Sequence, residues 1–335
     1  MSRGREPFSL VGPKYLTTID WTDDSHRRSV SASLVKGVSE RERDRLVELR
    51  GGSETLAPQW WEFFNFKLVN ELVNEDDQSI FGAIFEYVLP SANNPGPGYV
   101  IAFRGTLFKR ETWKCDLESN FAIMLNTLHQ KSHVRTAMKY VEDRVSKAGS
   151  SKVWLTGHSL GAAIAMLAGK HMAKRGKFLE SFLFNPPYAS FPIETIFKDN
   201  KNVIRGLQLI KGGVAHALGY SGGDEDSFAA ISGWKPCLFV NSRDFICHGY
   251  IEHFKHRRKS DDVGVWGLIS HHSLRNIVMK KLKIMDVEIS EPLHLLPSAK
   301  LIENLSPPEE SISPHKLRHW WKPDLNLLCT VYNYE

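Results

Sequence analysis

The chain has 335 residues, of which 42% are hydrophobic and 24% charged, proportions that exclude a disordered or fibrous class. Its net charge of +5 comes from scattered Lys and Arg with no long basic tract, so nucleic acid is excluded as the expected partner. Peripheral contact with an anionic membrane or lipid-droplet surface stays compatible with that mild charge.

Met1 to Asp20 lacks the apolar core of a signal peptide, and no stretch reaches the roughly 18 apolar residues of a membrane span. The cysteines Cys115, Cys237, Cys247 and Cys329 lie far apart with no metal-ligand spacing. Together these predict a cytoplasmic protein with reduced thiols.

In chain order, residues 1–55 are polar and predict an N-terminal arm with one short helix, Ser39 to Arg50, closed by Gly51 and Gly52. Residues 56–335 are expected to form a single α/β domain. It begins with an aromatic helix from Trp60 to Leu72, whose apolar stripe suits core packing. Ile80 to Leu89 and Tyr99 to Phe103 read as strands around the turn-rich 90–98 segment. Helices follow over 112–128 and 130–148, then a strand at 152–156, a helix from Ala162, and a strand at Phe182 to Phe184. A broken helix from Ile193 to Leu218, a strand at Cys237 to Val240 and a helix beginning near Phe245 complete the series. The basic run His253 to Lys259 fits the end of that helix, where cations suit the dipole. Such alternation predicts an α/β class with a mostly parallel central sheet and helices on both faces.

The chemistry concentrates at Gly157-His158-Ser159-Leu160-Gly161, a G-x-S-x-G run behind the apolar Val153-Trp154-Leu155 and ahead of an alanine-rich helix. On such a strand–turn–helix elbow the serine hydroxyl stands clear of the sheet, where a base can reach its proton and the helix N-terminus faces a developing oxyanion. The same letters also suit a glycine-flanked turn with an inert serine, so the context must decide.

A second segment, Val100 to Thr106, ends a strand in a Gly turn with a small hydroxyl residue. It can aim a backbone N–H and the Thr106 Oγ at the point faced by the Leu160 N–H. Phe103-Arg104-Gly105-Thr106, followed by Trp113-Lys114-Cys115-Asp116-Leu117 and by the G-H-S-L-G-A elbow, resembles the class 3 lipase family of α/β-hydrolases. The Trp60-Trp61-Glu62-Phe63-Phe64 and Glu291-to-Ala299 runs resemble its plant lipase-like branch. The resemblance covers about residues 80–320. It implies an α/β-hydrolase fold, oxyanion donors at Thr106 and Leu160, and a structural Asp116 bracing the loop of Thr106.

In that fold the acid and base follow the serine in the order Ser, Asp, His. Asp244, just past the strand Phe239-Val240-Asn241, suits the acid, although the same residue suits a helix N-cap. Asp224 and Asp226 follow no strand and fit less well. For the base, His315 opens His315-Lys316-Leu317-Arg318-His319-Trp320-Trp321 and resembles the family pattern. His272 shows a similar pattern soon after Asp244, and His294 sits between leucines.

The expected activity is cleavage of carboxylic esters of lipids, such as acylglycerols or phospholipids, or of small esters, with no metal or organic cofactor. Ser159 would be the nucleophile, His315 the base and Asp244 the acid. Phe121 to Leu125 suits a lid or acyl-facing wall, and equally a buried amphipathic helix. The competing expectation is a lipase-like scaffold serving as a binding or signalling module.

Overall fold

The computed structural model describes residues 6–89, 96–105, 132–188, 229–259, 296–308 and 312–334. Helices are α1 (Phe8–Val11), α2 (Asp24–Glu48), α3 (Gln59–Glu62), α4 (Ser132–Ala148), α5 (Leu160–Ala173) and α6 (Gly249–Lys259). Strands are β1 (Phe66–Val73), β2 (Ile80–Tyr87), β3 (Tyr99–Phe103), β4 (Val153–His158), β5 (Glu180–Phe184), β6 (Cys237–Asn241), β7 (Ala299–Asn304) and β8 (Leu327–Tyr332). They form one eight-stranded sheet ordered β1 to β8. The run from β3 to β7 is parallel, flanked by antiparallel β1 and β2 at one edge and antiparallel β8 at the other. The architecture is α/β with a mostly parallel sheet.

Alternating side chains of the central strands feed two cores. Ile101, Phe103, Val153, Leu155, Leu183, Leu238 and Val240 face α4, α5 and α6. Val100, Ala102, Trp154, Phe182, Phe184 and Phe239 face the N-terminal segment and the 3-10 helix Leu317–Trp321. Parallel strands in sequential order, joined by right-handed crossovers, place their helices on one face. The other face must be covered by chain from outside that run, and α2 does so.

This corrects the reading of residues 1–55 as a polar arm with a short helix. The helix starts fifteen residues earlier than Ser39, at Asp24, where the Asp23 side chain accepts from the Ser25 and His26 N–H groups. Phe8, Leu16, Ile19 and Trp21 share a core with Trp60 and Trp154, so no break in packing falls at residue 55. The sequence pattern hid this because Ser29, Ser31, Ser33 and Gly37 are buried among Val30, Ala32, Leu34, Val35 and Val38, which breaks up any clean apolar stripe. Small residues let the helix pack closely; a Cβ on Gly37 would meet the Trp61 ring of α3 at 3.1 Å. Farther along, buried charges are paired. Lys36 bonds Glu6 and lies 2.7 Å from Glu40, Glu42 takes the Ile80 N–H at 2.9 Å, and Asp44 takes the Ala57 N–H at 2.9 Å. The C-terminal reading stands: the Gly52 N–H returns to the Val47 carbonyl, with Gly51 at φ 79°.

The aromatic helix expected over 60–72 is also corrected. It stops at Glu62; Asn65 turns the chain at φ 59°, and Phe66–Val73 becomes β1, paired antiparallel with β2. Sheet pairing outweighed the helical spacing of the apolar residues. The strands at Tyr99–Phe103, Val153–His158, Glu180–Phe184 and Cys237–Asn241 agree with the sequence reading, as does α4. The basic run His253 to Lys259 closes α6. Strands β7 and β8 had no counterpart in that reading. The helices expected at 112–128 and 193–218, and the 121–125 segment, lie outside the described residues.

Candidate active site

Ser159 links the end of β4 to α5 at φ 54° and ψ −124°, a backbone region that L-residues rarely occupy. Its N–H is held by the Phe184 carbonyl at 3.0 Å, and its own carbonyl accepts from Ala162 at 2.9 Å, so both sides of the turn are anchored. The flanking glycines are required by close approach. A Cβ on Gly157 would fall well inside 3.0 Å of the Gly161 carbonyl, and one on Gly161 well inside 3.0 Å of the Phe103 carbonyl. The serine is 3% exposed, and its Oγ has no hydrogen-bond partner among the described residues. A buried hydroxyl left without a partner on a strained turn is costly in an ordinary core.

The end of β3 runs beside this turn. A Cβ on Gly105 would meet the Ser159 Cβ at 3.1 Å and the His158 carbonyl at 3.0 Å. Arg104, whose pKa burial lowers, donates through Nε to the Ile80 carbonyl and through Nη1 to the Gly105 carbonyl at 3.0 Å, fixing the strand end. Leu160 is the first residue of α5, at the helix N-terminus where the N–H groups of the first residues have no carbonyl one turn back within the helix. Thr106 and Asp116 lie outside the described residues.

Asp244 sits in the turn after β6 and is 1% exposed. Its Oδ1 accepts from the Ile246 N–H at 3.2 Å. Its Oδ2 accepts from His315 Nδ1 at 2.7 Å, Asn185 Nδ2 at 2.6 Å and the Cys247 thiol at 3.2 Å. The turn-capping role and the bond to a histidine are therefore both filled, one by each oxygen. Burial works to raise the Asp244 pKa. The hydrogen bond and charge of His315, together with Asn185 and Cys247, outweigh it and hold the carboxyl below its ordinary value.

His315 precedes the 3-10 helix Leu317–Trp321, and its backbone is held from the elbow itself. His158 Nε2 donates to the His315 carbonyl at 2.8 Å, with the two rings 4.8 Å apart. Burial, reinforced by the neighbouring His315, pushes the His158 pKa down to about 3, so the ring is neutral with its proton on Nε2. The fold thus brings Asp244 and His315 into contact, with the His315 carbonyl bonded to His158, the residue before Ser159. His272, His294, Asp224 and Asp226 lie outside the described residues.

Sequence reasoning missed Asn185, which follows β5 at φ 45° and touches Asp244, and Trp320, whose Nε1 donates to the Asn185 Oδ1 at 2.6 Å. The available signal was an asparagine between the strand Phe182-Leu183-Phe184 and Pro186-Pro187. It also missed Cys247, whose buried thiol is pushed well above its ordinary pKa and is no nucleophile.

Residues 100–190 match the family Lipase (class 3). The chain is 39% identical to a GDSL esterase/lipase of Arabidopsis thaliana, over 99% of each protein. Here the elbow reads Gly157-His158-Ser159-Leu160, with His158 where a G-D-S-L run would have aspartate. Among solved structures, a lipase from Rhizopus microsporus var. chinensis is 16% identical, covering 65% of this chain and 67% of that one at a TM-score of 0.32. A Pyrobaculum calidifontis esterase is 14% identical, covering 74% and 92% at 0.31. Overlaps that loose add nothing to the sheet topology. The near full-length relative and the match across the elbow together settle the kinship: the chain belongs to the class 3 lipase family of α/β-hydrolases, a family of lipase and esterase hydrolases.

Proposed function

We propose that the protein hydrolyses carboxylic esters of lipids through an acyl-enzyme, with Ser159 as nucleophile, His315 as base and Asp244 as acid. The observation that carries the reading is the 2.7 Å bond between His315 Nδ1 and Asp244 Oδ2, in a segment whose His315 carbonyl is bonded to His158 on the strained elbow of Ser159. With Nδ1 on the carboxylate, Nε2 is the ring nitrogen that takes the Ser159 proton as Oγ bonds to the ester carbonyl carbon. The carbonyl electron pair moves onto oxygen, which meets the N–H groups of Leu160 and Thr106 and the Thr106 hydroxyl. Collapse expels the alcohol, which takes the proton from His315. Water then attacks the acyl group, giving its proton to His315, and release of the acid returns that proton to Ser159. Asp244 keeps its charge throughout and stabilises the imidazolium.

The family and the esterase/lipase name of the Arabidopsis relative support an ester substrate with an acyl chain. The test pairs a fluorophosphonate probe with a panel of p-nitrophenyl esters of varied acyl length. Labelling at Ser159, together with turnover lost in Ser159→Ala, is the expected result. A purified protein that neither labels nor turns over any ester would instead be a lipase-like scaffold for binding or signalling.

A further inference from the structure

We infer that Asn185 is a positioning residue: it locks the Asp244 carboxylate in the orientation that meets His315, and Trp320 locks Asn185 in turn. The inference rests on the Ser159, His315 and Asp244 reading above. Trp320 Nε1 donates to Asn185 Oδ1 at 2.6 Å, Asn185 Nδ2 donates to Asp244 Oδ2 at 2.6 Å, and His315 Nδ1 donates to the same Oδ2 at 2.7 Å. The chain of bonds has one direction. An indole N–H can only donate and a carboxylate can only accept, so an amide turned end for end would face Asp244 with its oxygen and Trp320 with its nitrogen.

The carboxylate needs such a lock because its final torsion is broad and roughly two-fold, and burial alone does not select one setting. The Ile246 N–H holds Oδ1 at 3.2 Å, and the Cys247 thiol, a weak donor, reaches Oδ2 at 3.2 Å. Asn185 supplies the shorter, stronger bond on the oxygen that faces the base. Its backbone suits that role, because φ is 45°, a region asparagine tolerates, and its N–H bonds the Phe239 carbonyl at 2.8 Å. Asn185 and Trp320 are both fully buried, so water does not replace either bond. Three segments distant in sequence, the ends of β5 and β6 and the C-terminal 3-10 helix, are tied at this amide.

A merely structural asparagine would satisfy the buried indole and affect stability alone. Three full-length variants separate the roles: Asn185→Gly, which keeps the positive φ and the backbone bond; Trp320→Phe, which keeps a ring but removes the donor; and the double variant. Thermal midpoint, kcat and KM are measured on a p-nitrophenyl ester, with Ser159→Ala as control. Asn185→Gly should lose about 10- to 100-fold in kcat with KM within about twofold, the pattern of an interaction needed in the transition state. Trp320→Phe should lose less, since the amide stays but is less firmly held. The double variant no longer carries an orphaned indole N–H, so its thermal midpoint should recover part of the loss seen in Asn185→Gly while kcat stays at the Asn185→Gly level. A kcat within about twofold of wild type in the double variant, or one that rises with its thermal midpoint, overturns the positioning role while Ser159→Ala stays silent. A Ser159→Ala protein as active as wild type would overturn the hydrolase reading itself.

Discussion

The imidazole of His158, the residue before the candidate nucleophile, donates from Nε2 to the main-chain carbonyl of His315 at 2.8 Å. The elbow therefore grips the backbone of the candidate base and fixes the spacing between β4 and the C-terminal segment at that point. The bond itself would favour a charged ring; burial opposes this and holds the His158 pKa down to about 3, so the donor is a neutral imidazole.

The pH dependence of stability follows from that value. An unfolded histidine protonates near 6.5 and the folded His158 only near 3, so this group's stabilisation is complete above 6.5 and shrinks as pH falls from 6.5 toward 3. The slope is at most about 1.4 kcal/mol per pH unit. His158→Gln keeps a donor but cannot titrate. Urea midpoints of the two proteins between pH 4 and pH 6.5 should converge as the pH drops; parallel curves would show that His158 does not stay neutral in the folded protein.

At the elbow itself, Ser159→Ala should cut turnover at least about a thousandfold with the fold intact. Ser159→Gly should be equally inactive yet more stable than Ser159→Ala, by roughly 1 kcal/mol, because glycine occupies φ 54° without strain. Thermal denaturation checks the order, and a Gly variant no more stable than the Ala variant would mean that the turn holds little strain.

For the base, His315→Gln is expected to be nearly as inactive as Ser159→Ala, and the double variant scarcely worse, since the groups act as one unit. His272→Gln should retain most activity. Steady-state kinetics on one ester decides this, and the reverse pattern would move the base to His272.

Gly161→Ala places a methyl against the Phe103 carbonyl and also crowds that of Arg104. Backbone cannot yield as a side chain does, so we expect a loss of about 2 kcal/mol or more, with activity falling as β3 and α5 are forced apart. A variant with wild-type midpoint and turnover would show that the approach of these elements is looser than described.

Removing residues 1–55 tests the role of the N-terminal segment. The deletion uncovers Trp60, Phe85, Trp154 and Phe182 on one face of the sheet, so the remainder should be insoluble or unfolded. A soluble, cooperatively melting fragment would restore the reading of this segment as an arm.

The elbow and the alternating strands were legible because their constraints are local. The Gly-x-Ser-x-Gly spacing answers to backbone crowding within one turn, and Tyr99–Phe103 and Cys237–Asn241 announce themselves by apolar runs at strand length. Asp244 was singled out by its place after a strand together with family resemblance, and His315 by resemblance to the family pattern; nothing in the intervening chain encodes that these two side chains, 71 residues apart, meet. Tertiary structure decided the rest. A sheet of sequentially ordered parallel strands leaves one face bare, and that need drew α2 into the core although serine, glycine and paired charges interrupt the apolar residues of its buried face. The same need for partners turned the aromatic run after Asn65 into an edge strand. Asn185 and Trp320 lie 135 residues apart and acquire their meaning only when the ends of β5 and β6 and the last 3-10 helix close around one carboxylate. A buried hydrogen-bond chain is set by where distant elements pack, and no local pattern of residues carries that information.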